Sequence, residues 1–176
     1  MRWMIYGLSS LLLIASVGAG TLAFLLYKYG KGLPDYGQLA NYKPPVVTRV
    51  HSGDGRLIAE YAKERRVFIP VNVMPKLLIK AFLSSEDKNF FEHSGIDPVS
   101  LMNAAISNLL DFYKNKRPRG ASTITQQVAK NFLLSNELSL ERKIKEAILA
   151  FRIEKAFSKN RILELYLNEI YLGRGS

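Results

Sequence analysis

Two adjacent carboxylates open the segment EDKNFFEHSG, residues 86–95, which follows a stretch with helical spacing. A carboxylate at such a junction, close to an aromatic side chain such as Phe90, is partly desolvated, and partial desolvation suits it to accept a proton. Glu86 and Asp87 are therefore candidates for a general base. By local spacing alone, a solvated helix end explains the same residues, and His93 is typical of a hydrogen-bonded structural residue.

A second segment, RGASTITQQVAKNF, residues 119–132, combines hydroxyl, amide and ammonium side chains. Ser122 and Thr125 lie at the start of a helical stretch, Gln127 follows, and Lys130 comes about one turn later. Hydroxyls and free backbone N–H groups at a helix start, with a lysine on the next turn, suit a bound phosphate. An ordinary capped helix explains the same pattern.

The third segment, ERKIKEAILAFRIEK, residues 141–155, places Glu146 four positions after Arg142 and three after Lys143. Both spacings bring opposite charges together on a helix surface, so a solvated salt-bridge face is the default interpretation. A carboxylate held between cations serves a cleft equally well. The local pattern leaves both interpretations open.

Composition limits the elements that must position these segments. The chain has 176 residues, which suits one compact domain with an appended segment. Its 25 Lys and Arg against 15 Asp and Glu give a net charge of +10, which attracts polyanions such as nucleic acid, anionic lipid headgroups or pyrophosphates. The absence of cysteine from the sequence excludes disulfides, thiolate metal sites and a cysteine nucleophile.

A run of 25 residues without a charge extends from Trp3 to Tyr27. A helix needs roughly 20 apolar residues to cross the hydrocarbon core of a bilayer, so the run predicts a transmembrane helix. A cleavable signal peptide is the alternative, because Arg2 precedes the run and small residues occur within 15–20. Apolar residues resume after Gly20 and favour a retained anchor. Positive charges flank both ends, so charge alone leaves the orientation open.

We divide the chain into three parts on this basis. Residues 1–29 are the anchor, residues 30–45 are a linker with little structure of its own, and residues 46–176 are the domain. The linker assignment follows from glycine and proline in a polar stretch that contains several tyrosines.

The domain is predicted to be mainly α, with a small β element near its start. Three β-favouring runs, 46–50, 57–61 and 66–71, predict a hairpin or meander. Helical spacing predicts the remaining elements. These helical stretches run from Pro75 to an end near Glu86 to Phe91, from Asp97 and Pro98 to Phe112, and over 122–134, 140–157 and 161–172, the last with Ser158 as its cap.

In this order along the chain, the three segments and RILELYLNEIYLGRG, residues 161–175, resemble glycosyltransferase family 51. This family is the polymerising domain of class A penicillin-binding proteins and monofunctional transglycosylases. The resemblance spans residues 83–176, and a glycine followed by STITQQ is its most specific part. It implies a lysozyme-like, mainly helical domain behind one transmembrane helix. Because the family domain normally continues further, it also implies a domain that is C-terminally incomplete at Ser176.

The resemblance implies that Glu86 is the catalytic base. It would take the proton of the sugar 4-hydroxyl of an incoming lipid II, which attacks the growing chain at its anomeric carbon, inverts that carbon and expels polyprenyl pyrophosphate. Glu146 matches the second catalytic carboxylate, which orients substrate or assists the leaving group. Lys130, Lys143 and Gln127 match positions near the pyrophosphate, where cations stabilise the leaving oxygens. The other positions assigned to substrate are Asp87, Phe90, Ser122, Thr125 and Tyr171.

Two positions depart from the family pattern. Asn89 stands where an arginine is common, and residues 135–138 lack a basic residue that often precedes the third segment. Neither departure removes a catalytic carboxylate, and both concern how the donor is bound.

The resemblance also implies the surroundings of the domain. Its partners would be lipid II, the growing lipid-linked glycan, the membrane bilayer and other cell-wall synthesis proteins. Nucleic acid is not expected, because no recognition motif accompanies the basic residues. The location would be the bacterial plasma membrane, single-pass, with the domain on the periplasmic side. No cofactor is assigned with certainty, and a divalent cation, Mg²⁺ or Mn²⁺, is left open.

Other function classes stay under consideration. A lysozyme-like peptidoglycan hydrolase would need a protonated acid where a polymerase needs a base. A non-enzymatic single-pass membrane adaptor would use the basic helices to bind anionic lipid or a protein partner. Ser85 and Lys88 match the S-x-x-K spacing of transpeptidases, but the sequence has no K-T-G, so transpeptidase activity is not expected from this chain.

Overall fold

The computed structural model describes residues 2–42, 48–61, 67–112, 120–134 and 139–170. Its first element is helix α1, Arg2–Gly30. The portion Leu12–Gly30 has a mean hydropathy of 1.5, and none of it is buried. At about 1.5 Å per residue this portion is nearly as long as the roughly 30 Å hydrocarbon core. By length and composition, α1 is therefore able to cross a membrane.

Five further helices make up most of the described domain, and their ends follow capping signals. The Ser158 hydroxyl accepts the N–H of Arg161 at 3.3 Å, as predicted, and the Ser139 hydroxyl accepts that of Arg142 at 3.0 Å. The predicted mainly α fold with a minor β element is confirmed. The helices are α2, Lys76–Glu86; α3, Pro98–Phe112; α4, Ile124–Leu133; α5, Leu140–Ala156; and α6, Lys159–Glu169.

The core of the domain lies where α4, α5 and α6 pack together. Burial of one large aliphatic side chain contributes about 1.5–3 kcal/mol to the stability of the fold. Because this three-helix contact buries several such side chains, it dominates the packing. It forms the rigid base that carries the polar segments. Its fully buried side chains include Ile124, Val128, Leu149, Ile153, Ile162 and Leu165.

The chain that follows α1 packs against this core. A short 3₁₀-helix, Tyr36–Leu39, places Leu39 inside the core, and the ring of Tyr42 meets the ring of Phe132 edge-on, with centroids 4.7 Å apart. The described part of the segment 30–45 therefore differs from the expectation of little structure. Its apolar side chains find partners in the domain, which a count of glycine and proline does not reveal.

The predicted hairpin is present. Strand β1, Thr48–His51, pairs antiparallel with β2, Leu57–Tyr61, and the register shifts between Val50 and His51. Gly55 in the connecting turn has a φ of +83°, a conformation that glycine adopts without a steric penalty.

The third β-favouring run, 66–71, forms no strand in its described part, 67–71. The N–H and C=O of Ile69 instead bond to the side-chain amide of Asn168, at 2.8 and 2.9 Å, and the N–H of Val71 donates to Glu164 at 2.9 Å. Side chains of α6 thus satisfy backbone groups that a neighbouring strand would otherwise pair. The expectation of a third strand is wrong for this reason.

Helix α3 exposes its apolar half. Its acidic residue, Asp111, is buried and Ser100 is half-buried, whereas most of its large apolar side chains are exposed. This is the reverse of an ordinary surface helix, whose apolar stripe faces the core. The large apolar side chains, 53–78% exposed, are Val99, Leu101, Met102, Ile106, Leu109, Leu110 and Phe112.

Candidate active site

Glu86 is the last residue of α2 and its side chain is exposed. Its Oε2 accepts a hydrogen bond from Nε2 of Gln127, on α4, at 3.0 Å. Phe90 turns into the core, where it is fully buried, so it does not desolvate Glu86 as the sequence suggested. The carboxylate is held by an amide at the edge of a cleft of about 210 Å³. This cleft is lined by residues 84–88, by Asp97 and Ser100, and by residues 120–123.

Asp87 has a different environment from its neighbour. It is 6% exposed, and its carboxylate accepts the N–H of Ile124 at 2.9 Å and faces Nε2 of His93 at 2.9 Å. A buried carboxylate that bonds to both a helix N-terminus and an imidazole has a structural role, because it holds the two together. Asp87 thus ties the end of α2 to the start of α4, and the interpretation of His93 as a hydrogen-bonded structural residue agrees with this contact.

The loop around Gly95 lies directly on α5. Gly95 has a φ of +97°, and a Cβ added there would lie 2.8 Å from the carbonyl carbon of Ala150. The hydroxyl of Thr123 donates to the Gly95 carbonyl at 2.6 Å, which joins the loop to α4 as well. A glycine is required here both by backbone conformation and by space.

The start of α4 is fully capped. The Thr123 hydroxyl accepts the N–H of Gln126 at 3.2 Å, while the Gln126 side chain accepts the N–H of Thr123 at 3.0 Å. This is a reciprocal capping box, and the N–H of Ile124 is already bonded to Asp87. The expectation of free backbone N–H groups for a phosphate is therefore not met at these positions. At Thr123, Ile124 and Gln126, an anion would have to be bound by side chains.

Ser122 and Lys143 supply such side chains. Nζ of Lys143, on α5, lies 2.6 Å from Oγ of Ser122 and 2.7 Å from Oε2 of Glu146. Glu146 is only 2% exposed, and Nε of Arg142 lies 2.9 Å from its Oε1. The two cations compensate the charge of the buried carboxylate. Of the two interpretations left open by the sequence, the solvated salt-bridge face does not fit, because the carboxylate is buried between the two cations.

The remaining predicted positions differ in their surroundings. Phe90 is part of the core, and the hydroxyl of buried Thr125 donates to Glu154 at 2.6 Å, so both support the site from inside. Lys130 is half-buried and follows Gln127 by three positions, on the same face of α4. Tyr171 lies outside the described residues.

Two further residues lie near the site, and of these only Asn89 is named by the sequence analysis. Burial raises the pKa of the Tyr166 phenol, and the negative charge of Glu86 raises it further. The ring of Tyr166, on α6, also meets that of Phe82, on α2, with centroids 6.1 Å apart. Asn89, the departure from the family pattern, donates to Asp97 at 3.0 Å. Tyr166 had a detectable signal, since it follows Ile162 at helical spacing, but its proximity to Glu86 depends on tertiary packing.

Asp97 caps α3 with unusually many hydrogen bonds. It accepts the N–H groups of Val99 and Ser100, both at 3.0 Å, and the Ser100 hydroxyl at 2.7 Å. The bonds from Ser100, together with the one from Asn89, lower the pKa of Asp97 to about 2, although its burial opposes this. Asp97 therefore stays ionised and holds the wall of the cleft.

A metal site is not evident in the described ranges. Within them, no three His, Cys, Asp or Glu side chains gather closely enough to hold an ion. The question of Mg²⁺ or Mn²⁺ stays where the sequence left it.

The arrangement combines a proton acceptor with an anion site. Glu86 is accessible to a hydroxyl in the cleft, and Lys143 presents a positive charge at Ser122 on the same cleft. A reaction that removes a proton and releases an anionic group would use both.

Comparison with known proteins gives the family. The transglycosylase family profile matches residues 54–176. Proteins named penicillin-binding protein 1A are similar: that of Rickettsia felis is 56% identical over 91% of this chain, that of Escherichia coli 46% over 89%, and that of Aquifex aeolicus 44% over 93%. The chain spans only about a fifth of the length of these relatives, 20%, 18% and 22% respectively. The profile match over most of the chain, together with these identities, shows that the chain belongs to the transglycosylase family.

Proposed function

We propose that this chain carries the peptidoglycan glycosyltransferase activity of a penicillin-binding protein 1A-like enzyme. In this proposal it polymerises lipid II into glycan strands during cell-wall synthesis. Transfer inverts the anomeric carbon and releases polyprenyl pyrophosphate. Transpeptidase activity is not assigned to this part of the protein.

One observation supports the proposal most strongly. The exposed carboxylate of Glu86 shares a cleft with Ser122, and Ser122 bonds to Lys143, which pairs with buried Glu146. The segments that carry these residues are far apart in sequence. The fold brings them to one place, with the proton acceptor Glu86 near the cation Lys143. A displacement that releases a pyrophosphate requires both a proton acceptor and a cation.

The proposed step uses these residues as follows. Glu86 takes the proton of the acceptor 4-hydroxyl, while Gln127 holds the Glu86 carboxylate by a hydrogen bond to its Oε2. The hydroxyl oxygen forms a bond to the anomeric carbon, and the bond from that carbon to the pyrophosphate oxygen breaks. The electron pair leaves on the pyrophosphate, where Lys143 stabilises the growing negative charge. Glu146 holds Lys143 toward Ser122 in this scheme and acts as a positioning residue.

The first prediction tests the base. Glu86→Gln in the full-length protein should reduce lipid II polymerisation by about 10²–10⁴-fold, the usual contribution of a general base. The amide is isosteric but cannot take the proton. The measurement is the initial rate of glycan formation from fluorescent lipid II, resolved by gel electrophoresis.

Glu92→Gln is the matched control, because Glu92 is exposed on the same segment and does not line the cleft. It should leave the rate unchanged. Polymerisation by Glu86→Gln at the wild-type rate would refute the assignment. Release of soluble muropeptides from purified wall, without polymer formation, would instead favour the hydrolase, and the absence of both activities in wild type would favour the adaptor.

We further propose that the protein is retained in the bacterial plasma membrane by α1, with the domain on the periplasmic side. Helix α1 continues without a break through Gly20, and its final carbonyl at Gly30 accepts a 3.3 Å hydrogen bond from Arg152 of α5. The exposed apolar half of α3 suits contact with the same bilayer. Mass spectrometry of the membrane-extracted protein should find residues 1–29 still attached, and a mature chain that lacks them would support the signal peptide.

A further inference from the structure

A large apolar groove runs between α1 and α5, outside the cleft described above. Its volume is about 890 Å³, within the range of roughly 300–1,000 Å³ that is usual for small-molecule sites. Leu22, Leu25 and Leu26 form one wall, and Ala147, Ile148 and Phe151 are part of the other. The ligand that fits such a groove is apolar.

One wall of the groove belongs to the apolar part of α1. Leu22, Leu25 and Leu26 all belong to the portion of α1 that is able to span a bilayer, Leu12–Gly30. The groove is open along its length and is not an enclosed cavity. A hydrocarbon chain in the surrounding bilayer could therefore enter it sideways, without crossing water.

One hydrogen bond links the groove to the polar cleft. Lys143 lines the groove, and its Nζ lies 2.6 Å from Oγ of Ser122, which lines the cleft beside Glu86. A lysine can place its aliphatic stem along an apolar surface while its charge reaches polar groups. Lys143 thus marks the boundary between an apolar site and a cationic one.

We propose that the α1–α5 groove binds the polyprenyl chain of the lipid-linked sugar substrate, with its pyrophosphate at Lys143 and Ser122. This inference rests on the proposed function and adds a site for the hydrocarbon part of the substrate. It explains why the C-terminal half of α1 lies along α5: the spanning helix supplies one wall of the binding site in addition to its role as an anchor.

A direct test uses polyprenyl phosphate with a diazirine near the end of its chain, added to the full-length protein in nanodiscs. Photolysis followed by mass spectrometry should place the crosslinks on α1 and α5, near Leu25 and Phe151. Excess unlabelled polyprenyl phosphate should reduce them at least tenfold, and an equal amount of added phospholipid should not. Crosslinks that phospholipid removes equally well, or that spread evenly over α1, would overturn the proposal.

A kinetic test separates the groove from the chemistry. Ala147→Trp fills the groove and should raise KM about tenfold for a long-chain lipid II while leaving a short-chain, water-soluble analogue unaffected. Ala19→Trp is the control, because Ala19 lies in the same membrane span but does not line the groove. Equal effects of the two variants on the long-chain substrate would overturn the proposal.

The two proposals can fail separately. If wild type polymerises the short-chain analogue and the Ala147→Trp variant is indifferent to chain length, the groove assignment fails and the proposed function stands. If the crosslinks map to the groove but wild type polymerises neither substrate, the groove binds polyprenyl chains and the proposed function fails.

Discussion

At the scale of single residues, the adjacent carboxylates Glu86 and Asp87 occupy different environments. Glu86 is exposed and bonded to Gln127, whereas Asp87 is buried between Ile124 and His93. The difference arises because α2 ends at Glu86 and the backbone then turns inward. The structure therefore favours Glu86 as the base and assigns Asp87 to support.

The same scale decides which cation matters. Lys143→Met keeps the aliphatic stem but removes the charge that contacts Ser122 and Glu146. We expect turnover of lipid II to fall about 10²-fold, as for the loss of one preorganised donor to a developing anion. The measurement is kcat and KM for polymerisation by the full-length protein.

Lys145→Met provides the comparison on the same helix. Lys145 pairs at 2.6 Å with Glu141, which is largely exposed, and surface pairs contribute about 0–1 kcal/mol at most. It should leave turnover unchanged. Equal losses in the two variants would show that general positive charge on α5, and not the position of Lys143, sustains activity.

At the scale of elements, the loop that follows the base is held against α5 by close backbone contact. Gly95→Ala should destabilise the domain by roughly 2 kcal/mol or more, because it combines a strained φ with a Cβ that would lie 2.8 Å from Ala150. Urea denaturation followed by circular dichroism measures the free energy of unfolding.

Gly55→Ala separates the cost of backbone strain from the cost of steric overlap. Gly55 also has a positive φ, +83°, but an added Cβ meets no atom within 4 Å. It should cost only the strain, about 1–2 kcal/mol. If Gly95→Ala costs no more than this, the loop is not pressed against α5.

The start of α3 gives a pH dependence. The pKa of Asp97 is lowered to about 2, so its contribution to stability is complete above the unfolded value near pH 4 and is lost as the pH falls toward 2. Melting temperatures measured from pH 5 to pH 2 should fall less steeply for Asp97→Asn than for wild type. Parallel curves would mean that other carboxylates account for the acid sensitivity.

At the scale of the whole molecule, the segment that follows α1 is bound to the helical domain. Arg161 of α6 donates to the carbonyls of Leu39 and Ala40 at 3.0 and 3.3 Å and pairs with Glu164 at 2.6 Å. The segment that follows α1 is therefore joined to the domain by direct hydrogen bonds from α6.

Loss of this clamp should loosen the segment between anchor and domain. In Arg161→Ala, hydrogen exchange of the peptide 33–42 should be roughly thirtyfold faster, since loss of two hydrogen bonds of about 1 kcal/mol each lowers the local opening energy. Arg49→Ala, which removes an exposed pair with Glu60 on the hairpin, should leave that peptide unchanged. An unchanged exchange rate in Arg161→Ala would show that apolar burial of Leu39 suffices.

Much of the fold follows from local signals. Helical spacing and the caps Ser158 and Asp97 predict the helices, because capping and amphipathic periodicity act within a few residues. The prediction of a strand at 66–71 is wrong, because the backbone of Ile69 pairs with Asn168, which is distant in sequence. The packing of the linker is likewise not evident from neighbouring positions, because Leu39 is buried by helices that are distant in sequence.

The sequence by itself determined the family, the spanning helix, the mainly α architecture and the identity of the candidate residues, because motifs and periodicity are properties of neighbouring positions. Only the tertiary structure decided that Asp87, Phe90 and Thr125 face inward while Glu86 faces the cleft, and that the amides at the start of α4 are already bonded. It also decided that α1 and α5 line an open groove to which Lys143 contributes. These features depend on contacts between segments far apart along the chain, and such contacts are set by packing of the whole core.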